Sequence, residues 1–131
     1  MKDATLTDFE KTVLECLLDG DDAILATLRQ QLNACAHFER EFTGSGFYLK
    51  FEIPEDVQRV KPTDFHFGDV SATSDGLEHG AGFVLFVRNG VLDMLEGYSF
   101  EEPWPASGTS WNVGYVGDAE RDLETVRKAW S

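Results

Sequence analysis

The stretch GAGFVLFVRNGVLDMLEGYSFEEPWP, Gly80–Pro105, decides the fold, because it predicts one β-hairpin followed by an acidic, aromatic loop. Two runs rich in β-branched and aromatic residues flank the pair Asn89-Gly90. This pair tolerates the positive φ angles of a type I′ turn, whose twist suits the two strands that it joins. The sequence therefore predicts a two-residue hairpin loop at this point.

The turn also predicts the register, since opposed positions in a two-residue hairpin keep a constant sum. The expected pairs are Arg88 with Val91, Val87 with Leu92, Leu85 with Met94, and Phe83 with Glu96. One face would then carry Val87, Leu92, Leu85, Met94, Phe83 and Tyr98, with Glu96 as its only charged residue. The opposite face would carry Val84, Phe86 and Leu95. Strands that are apolar on both faces are expected in the middle of a covered sheet.

The rest of the chain predicts helices at both ends and further strands between them. Capping signals and apolar spacing predict a first N-terminal helix over 7–18 and a second from Asp21 or Asp22 to about His37. The same signals predict a C-terminal helix from Asp118 to about Trp130. Further strands are expected over 43–53, 64–73 and 111–116. Clustered strands of this kind indicate an α+β fold with an N-terminal helical hairpin, an antiparallel sheet of about four or five strands, and a C-terminal helix.

The length of 131 residues predicts a single domain over 1–131. No segment approaches the roughly 20 apolar residues that cross a bilayer, and the N-terminus lacks the apolar core of a signal peptide. We therefore expect a soluble, cytoplasmic protein. Cys16 and Cys35 both lie in predicted helices without close spacing, which favours reduced thiols over a disulfide or a zinc site.

The net charge of −13 argues against binding to nucleic-acid phosphates or to anionic membranes, because both need cationic patches. Between Pro62 and Glu120 the chain has ten acidic residues and one basic residue, Arg88. This acidity has two interpretations. It maintains solubility, or it steers a basic partner onto the sheet half of the molecule.

No motif predicts catalysis. The sequence lacks a nucleophile elbow, a phosphate-binding glycine loop and a Cys-His signature, and the glycines at 80 and 82 precede a strand rather than a helix. His37, His66 and His79 lack the spacing of a metal site. We predict no catalytic residue, no metal ligand and no cofactor.

Glu96 is the residue that the predicted register marks most strongly. A carboxylate on an apolar strand face binds backbone donors or an arginine, or it has a raised pKa and a functional role. Both interpretations stay open. Arg88 and Asp93 lie in diagonal positions on the other face, where an ordinary cross-strand ion pair explains them.

Trp104 stands between two prolines, so it belongs to a loop rather than to a helix or a central strand. It either folds back as a lid over the sheet, or it is an exposed aromatic anchor beside Glu101 and Glu102. Aromatic anchors of this type dominate protein interfaces.

The segments FEREFTGSGFYLKFEIP, Phe38–Pro54, and LFVRNGVLDMLEGYSFEEPWP, Leu85–Pro105, resemble a family of small uncharacterised bacterial proteins. In that family a Gly-Phe strand precedes a hairpin that ends in a Leu-Glu-Gly-aromatic and Trp-Pro block. The resemblance implies an α+β fold and a bacterial cytosolic origin, and it implies no catalytic residue. In size and acidity the chain is also similar to immunity proteins that neutralise bacterial toxins.

Three functions are compatible with these observations. The first is an acidic protein-binding module, such as an immunity-type inhibitor of a basic protein. The second is a small-ligand-binding protein or enzyme with a pocket around Phe83, Glu96, Tyr98 and His79. The third is an assembly subunit, a homodimer in which a second copy covers the sheet. The predicted binding residues are Glu96, Tyr98, Glu101, Glu102 and Trp104.

Overall fold

The structure, a computed structural model, describes residues 5–105, 110–116 and 120–130. Its helices are α1 (Asp8–Leu18), α2 (Ala23–Ala34) and α3 (Leu123–Arg127). Its strands are β1 (His37–Phe42), β2 (Gly46–Glu52), β3 (Phe65–Phe67), β4 (Val70–Ser74), β5 (Leu77–Arg88), β6 (Val91–Ser99) and β7 (Trp111–Tyr115). None of the described helices is long and apolar enough to cross a membrane.

The two N-terminal helices begin where the sequence predicts. Thr7 and Glu10 form a complete capping box at the start of α1, and the Asp22 carboxylate accepts from two backbone amides at the start of α2. The predicted end of α2 at His37 is wrong, because α2 ends at Ala34 and His37 begins a strand. The short helix α3 is capped by Asp122, and the predicted cap Asp118 lies outside the described residues.

The strands form one antiparallel sheet in the order β1-β2-β6-β5-β4-β7, with β3 also paired to β5. The α+β class is confirmed, whereas the predicted count of four or five strands is too low, since the described residues form seven. Two differences account for the higher count. Strand β1 starts at His37, the predicted end of the second helix, and occupies residues 38–42, for which no element was predicted. The single strand predicted over 64–73 is divided at Gly68-Asp69 into β3 and β4.

The described helices all contact the same side of the sheet, which we call the inner face. Phe9 of α1 stacks on Trp111, Gln31 of α2 binds the backbone of β6, and Trp130 after α3 packs on Phe67. The apolar core lies between these helices and the inward residues of the strands, among them Phe83, Leu85 and Leu95. None of these helix contacts lies on the opposite side of the sheet, which we call the open face.

A β-bulge decides which residues of the central hairpin reach each face. The turn is as predicted, with φ of 56° at Asn89 and 78° at Gly90, and the pairs Arg88–Val91 and Val87–Leu92 are confirmed. The register then shifts by one residue, so that Asp93 is extra on β6.

The shift corrects the predicted pairs that lie beyond the bulge. Leu85 pairs with Leu95 and Phe83 with Gly97, instead of with Met94 and Glu96. Because side chains alternate along a strand, the shift moves Leu95 to the inner face and Met94, Glu96 and Tyr98 to the open face. The predicted mixed face of the hairpin is therefore wrong.

Candidate interaction surface

The open face carries two of the five predicted binding residues, Glu96 and Tyr98. Its centre is formed by outward residues of β2, β6 and β5, all of them half-buried: Tyr48, Val84, Phe86, Met94, Glu96 and Tyr98. Apolar and aromatic side chains without a covering element are typical of an interaction surface.

Glu96 lies in the middle of this surface. Tyr48 of β2 is its directly opposed neighbour on one side, and Val84 of β5 is its neighbour on the other. The Glu96 side chain makes none of the hydrogen bonds or ion pairs found among the described residues, although Lys50 is its diagonal neighbour. The structural interpretation, in which Glu96 binds backbone donors or an arginine of its own chain, therefore finds no such contact in the described part of the chain.

Tyr98 owes its orientation to a glycine. A Cβ atom added at Gly82, the residue opposite Tyr98, would lie 2.6 Å from the Tyr98 hydroxyl oxygen and 2.7 Å from Cζ. The phenol ring therefore lies across the β5 backbone, where a larger residue than glycine would displace it. Phe100, which is 48% exposed, contacts the same ring edge-on at 5.5 Å. Together the two rings extend the open face beyond Glu96.

The border of the open face is mostly acidic. The outward residues of β1 and β2 include the exposed side chains Glu39, Glu41, Glu52 and Lys50. Near the hairpin turn, Arg88 and Asp93 form the predicted cross-strand ion pair, with 3.5 Å between Nε and Oδ2. A pair this exposed contributes little to stability, and it leaves the glutamates as the main charge of the face.

Glu102 has a structural role at the start of β5. Its carboxylate accepts from the backbone amides of Glu78 and His79, at 2.8 and 3.0 Å. These two amides lower the pKa of the Glu102 carboxyl. Glu101 is exposed and has a φ of 62°, a left-handed conformation that turns the chain away from β6. Both residues belong to the loop and not to the centre of the open face.

Trp104 packs inward rather than standing free. Its ring is half-buried and contacts Phe47, Trp111 and Phe9, with centroid separations of 5.4, 5.1 and 6.5 Å. Its backbone amide also donates to the Gly44 carbonyl, at 2.8 Å. This is the packing that the lid interpretation describes, and it places Trp104 on the inner face, opposite Glu96 and Tyr98.

The structure does not bring together the four residues named for the predicted pocket. Phe83 is buried on the inner face, whereas Glu96 and Tyr98 lie on the open face, and His79 is exposed beside Glu102 at the far end of β5. Among the described residues, no group of three or more His, Cys, Asp or Glu side chains could hold a metal ion.

Two buried polar residues, Gln31 and Glu10, support the open face from behind. Gln31 is 1% exposed; its Nε2 donates to the carbonyls of Gln58 and Gly90, and its Oε1 accepts from the Leu92 amide, all at 2.9 Å. Glu10 is 3% exposed, and its carboxylate forms a two-bond ion pair with Arg40 of β1. The sequence predicts Glu10 only as the capping-box partner of Thr7, and the only signal for Gln31 is a polar residue at a helical core position.

The two cysteines are free, as predicted. Burial raises the pKa of both the Cys16 and the Cys35 thiol, and nearby acidic residues add to that effect. Partly buried thiols with raised pKa values are poor nucleophiles, so neither cysteine adds chemistry to the surface described above.

No family model, curated protein or solved structure matches the chain. The resemblance to small bacterial proteins with a Leu-Glu-Gly-aromatic hairpin block therefore stays a prediction. The arguments about function that follow depend on the geometry and charge of the open face.

Proposed function

We propose that the protein is a protein-binding module, and that its open face binds a basic partner. The observation that carries the proposal is a pair of half-buried tyrosines, Tyr48 and Tyr98, on a sheet face that no described helix covers, with Glu96 opposite the first and two positions from the second along β6. Tyrosine is enriched among the residues that dominate binding energy at interfaces, because it supplies a large, rigid contact area. Tyr48, Glu96 and Tyr98 are the proposed centre of the interface.

The charge of the molecule supports a basic partner. The chain has a net charge of −13, and the glutamates at 39, 41 and 52 border the apolar centre of the open face. A cationic side chain of the partner would pair with the Glu96 carboxylate, which binds no other group among the described residues. The aliphatic stem of that side chain would pack against the tyrosine rings. An inhibitor of a toxin with a basic active-site surface is one protein of this kind.

The predicted roles of Glu101, Glu102 and Trp104 do not form part of this proposal. Glu102 binds the backbone amides of Glu78 and His79, and Trp104 packs against the core, so their replacement is expected to act first on stability. The third function, an assembly subunit in which a second copy covers the open face, is a competing outcome of the experiment below. It is less favoured, because two copies would bring acidic borders together.

The test combines capture with matched variants. Immobilised wild-type protein, the double variant E96Q/Y98S and the control E15Q are compared for retention of proteins from a lysate of the source organism. E15Q removes the same charge from an exposed position on α1, behind the sheet. Retained proteins are identified, and their binding kinetics are measured at low and high salt.

We expect a basic protein that binds wild type and E15Q equally well and binds E96Q/Y98S at least about tenfold more weakly. Added salt should slow its association, because exposed charges are screened beyond about 8 Å at physiological ionic strength. The proposal fails if E15Q weakens binding as much as E96Q/Y98S, or if no basic protein is retained. A dimer of the wild-type chain that E96Q/Y98S dissociates would favour the assembly function instead.

A further inference from the structure

Strand β1 is an edge of the sheet, and half of its backbone groups face outward. Among the described residues it pairs only with β2, and the Thr43 amide donates to the Gly46 carbonyl where the two strands meet. That bond fixes which residues bond across the pair, since bonded positions alternate along an antiparallel ladder. The backbone groups of Glu39 and Glu41 bond to β2, so the backbone N–H and C=O groups of Phe38, Arg40 and Phe42 point away from the sheet.

The outward backbone groups of β1 are unpaired among the described residues, and its last residue, Phe42, has an exposed ring. No backbone hydrogen bond among the described residues ends on the outward groups of Phe38, Arg40 or Phe42. Phe42 is 66% exposed, although its side chain lies on the same face as the buried Phe47 that it pairs with. An uncovered row of donors and acceptors is a template for an added strand.

The side chains of β1 define what the added strand must carry. Glu39 and Glu41 are exposed on the open face, whereas the Arg40 guanidinium is turned to the other face and bound to Glu10. A strand paired with β1 therefore meets two carboxylates on one face and two phenylalanines, Phe38 and Phe42, on the other. Opposite charges and aromatic contacts across strands are favourable.

A second copy of β1 does not meet this requirement. In the antiparallel register that pairs the outward groups of Phe38, Arg40 and Phe42 with those of a second copy, Glu39 lies opposite Glu41 of that copy in both directions. Like charges directly opposite each other are destabilising in a sheet. The edge thus favours a different chain with basic residues at these positions.

We propose that β1 binds an extended segment of the partner as an eighth strand, in which basic residues alternate with apolar ones. The basic residues lie opposite Glu39 and Glu41, and the apolar residues lie opposite Phe38, Arg40 and Phe42, where they exchange backbone hydrogen bonds. This deepens the proposed function and rests on it, since the added strand continues the open face past Glu41 and Tyr48.

The test uses a labelled peptide, Val-Arg-Val-Arg-Val-Arg-Val, whose affinity for the full chain is measured by fluorescence anisotropy. In the predicted pairing only the valine amides bond to β1. N-methylation of two valine amides should therefore weaken binding at least about tenfold, and N-methylation of two arginine amides should change it less than about twofold. A peptide of the same composition with its arginines in one block should bind weakly.

A variant pair tests the same bonds from the protein side. Phe42→Pro removes the outward N–H and the ring, whereas Phe42→Thr removes the ring alone; proline is tolerated at an edge position whose N–H faces solvent. We expect F42P to bind the peptide about fivefold more weakly than F42T. If F42P does not fold, the methylated peptides still decide the matter.

The proposal is overturned if both methylation patterns weaken the peptide equally, or if the peptide with a block of arginines binds as well as the alternating one. E96Q/Y98S should keep its affinity for the peptide within about twofold, because β1 is separated from β6 by β2. Loss of the captured protein in E96Q/Y98S, without any difference between the two methylation patterns, would support the open face and reject the strand addition. If E96Q/Y98S still retains the captured protein and the two methylation patterns differ, the open face is rejected and the strand addition is supported.

Discussion

Replacing Gln31 by methionine tests how the open face is held in place. Gln31 bridges α2 to the turn of the β5–β6 hairpin, the hairpin that carries Glu96 and Tyr98 on its other side. Methionine has a similar length and a similar helix propensity, so the change removes polar contacts and little packing.

The expected loss follows from three hydrogen bonds. Each is worth about 1 kcal/mol net, and a buried amide without an acceptor costs about 1 to 3 kcal/mol. The Gly90 carbonyl keeps a second donor, the Val60 amide at 2.9 Å, so removing the Gln31–Gly90 bond costs the least of the three. The Leu92 amide loses Gln31 Oε1 as its acceptor. We expect the free energy of unfolding to fall by about 2 to 3 kcal/mol, a large part of the stability of a domain of this size.

The assay is urea unfolding followed by tryptophan fluorescence, with Q30M as the control. Gln30 is exposed on the same helix, so Q30M should differ from wild type by less than about 0.5 kcal/mol. Hydrogen exchange at the Leu92 amide should also become faster in Q31M than in Q30M. If Q31M matches Q30M in both measurements, the described bridge does not hold the hairpin and the reasoning is refuted.

Three further predictions concern stability. Two amides lower the pKa of Glu102 in the folded protein, so its carboxylate stabilises the fold at pH values above the ordinary glutamate pKa of about 4.3. This contribution is lost as the pH falls through the lower pKa of the folded protein. Thermal melts of E102Q between about pH 5 and pH 2.5 should therefore fall less steeply than those of wild type, and parallel curves would contradict this. Trp104→Ala should cost about 3 kcal/mol in urea unfolding, because it empties an aromatic cluster; a cost below about 1 kcal/mol would show that the ring is not a lid. Reducing agent should leave the Tm unchanged, since both cysteines are free, and a clear drop would reveal a disulfide.

Local signals predicted the parts of the fold that depend on few residues. The Asn89-Gly90 turn, the capping box of Thr7 and Glu10, and the Asp22 cap all formed as expected, because their geometry is specified by the residues themselves. Strand β1 was missed even though Phe38, Arg40 and Phe42 alternate with glutamates, since the run follows a helix without a glycine or proline between them.

The face on which Glu96 lies could not be predicted from the hairpin alone. One extra residue, Asp93, reverses the face of every residue after it in β6, and no proline or glycine marks the bulge. The partners of Gln31 are 27 to 61 positions away in the sequence, so only the folded chain shows why a glutamine occupies a core position of α2. The candidate site therefore follows from the assembled sheet, although the alternation along β6 predicts that Glu96 and Tyr98 share a face.

The most direct test of the central claim is site-specific photocrosslinking at Tyr98. A benzoylphenylalanine at position 98, on the open face, is compared with one at the exposed position Lys11, on α1 behind the sheet. In cells of the source organism, irradiation should link position 98, and not position 11, to a basic protein, and added salt should abolish that product in the lysate. Equal products from both positions, or none from position 98, would contradict the claim that the open face is the binding surface.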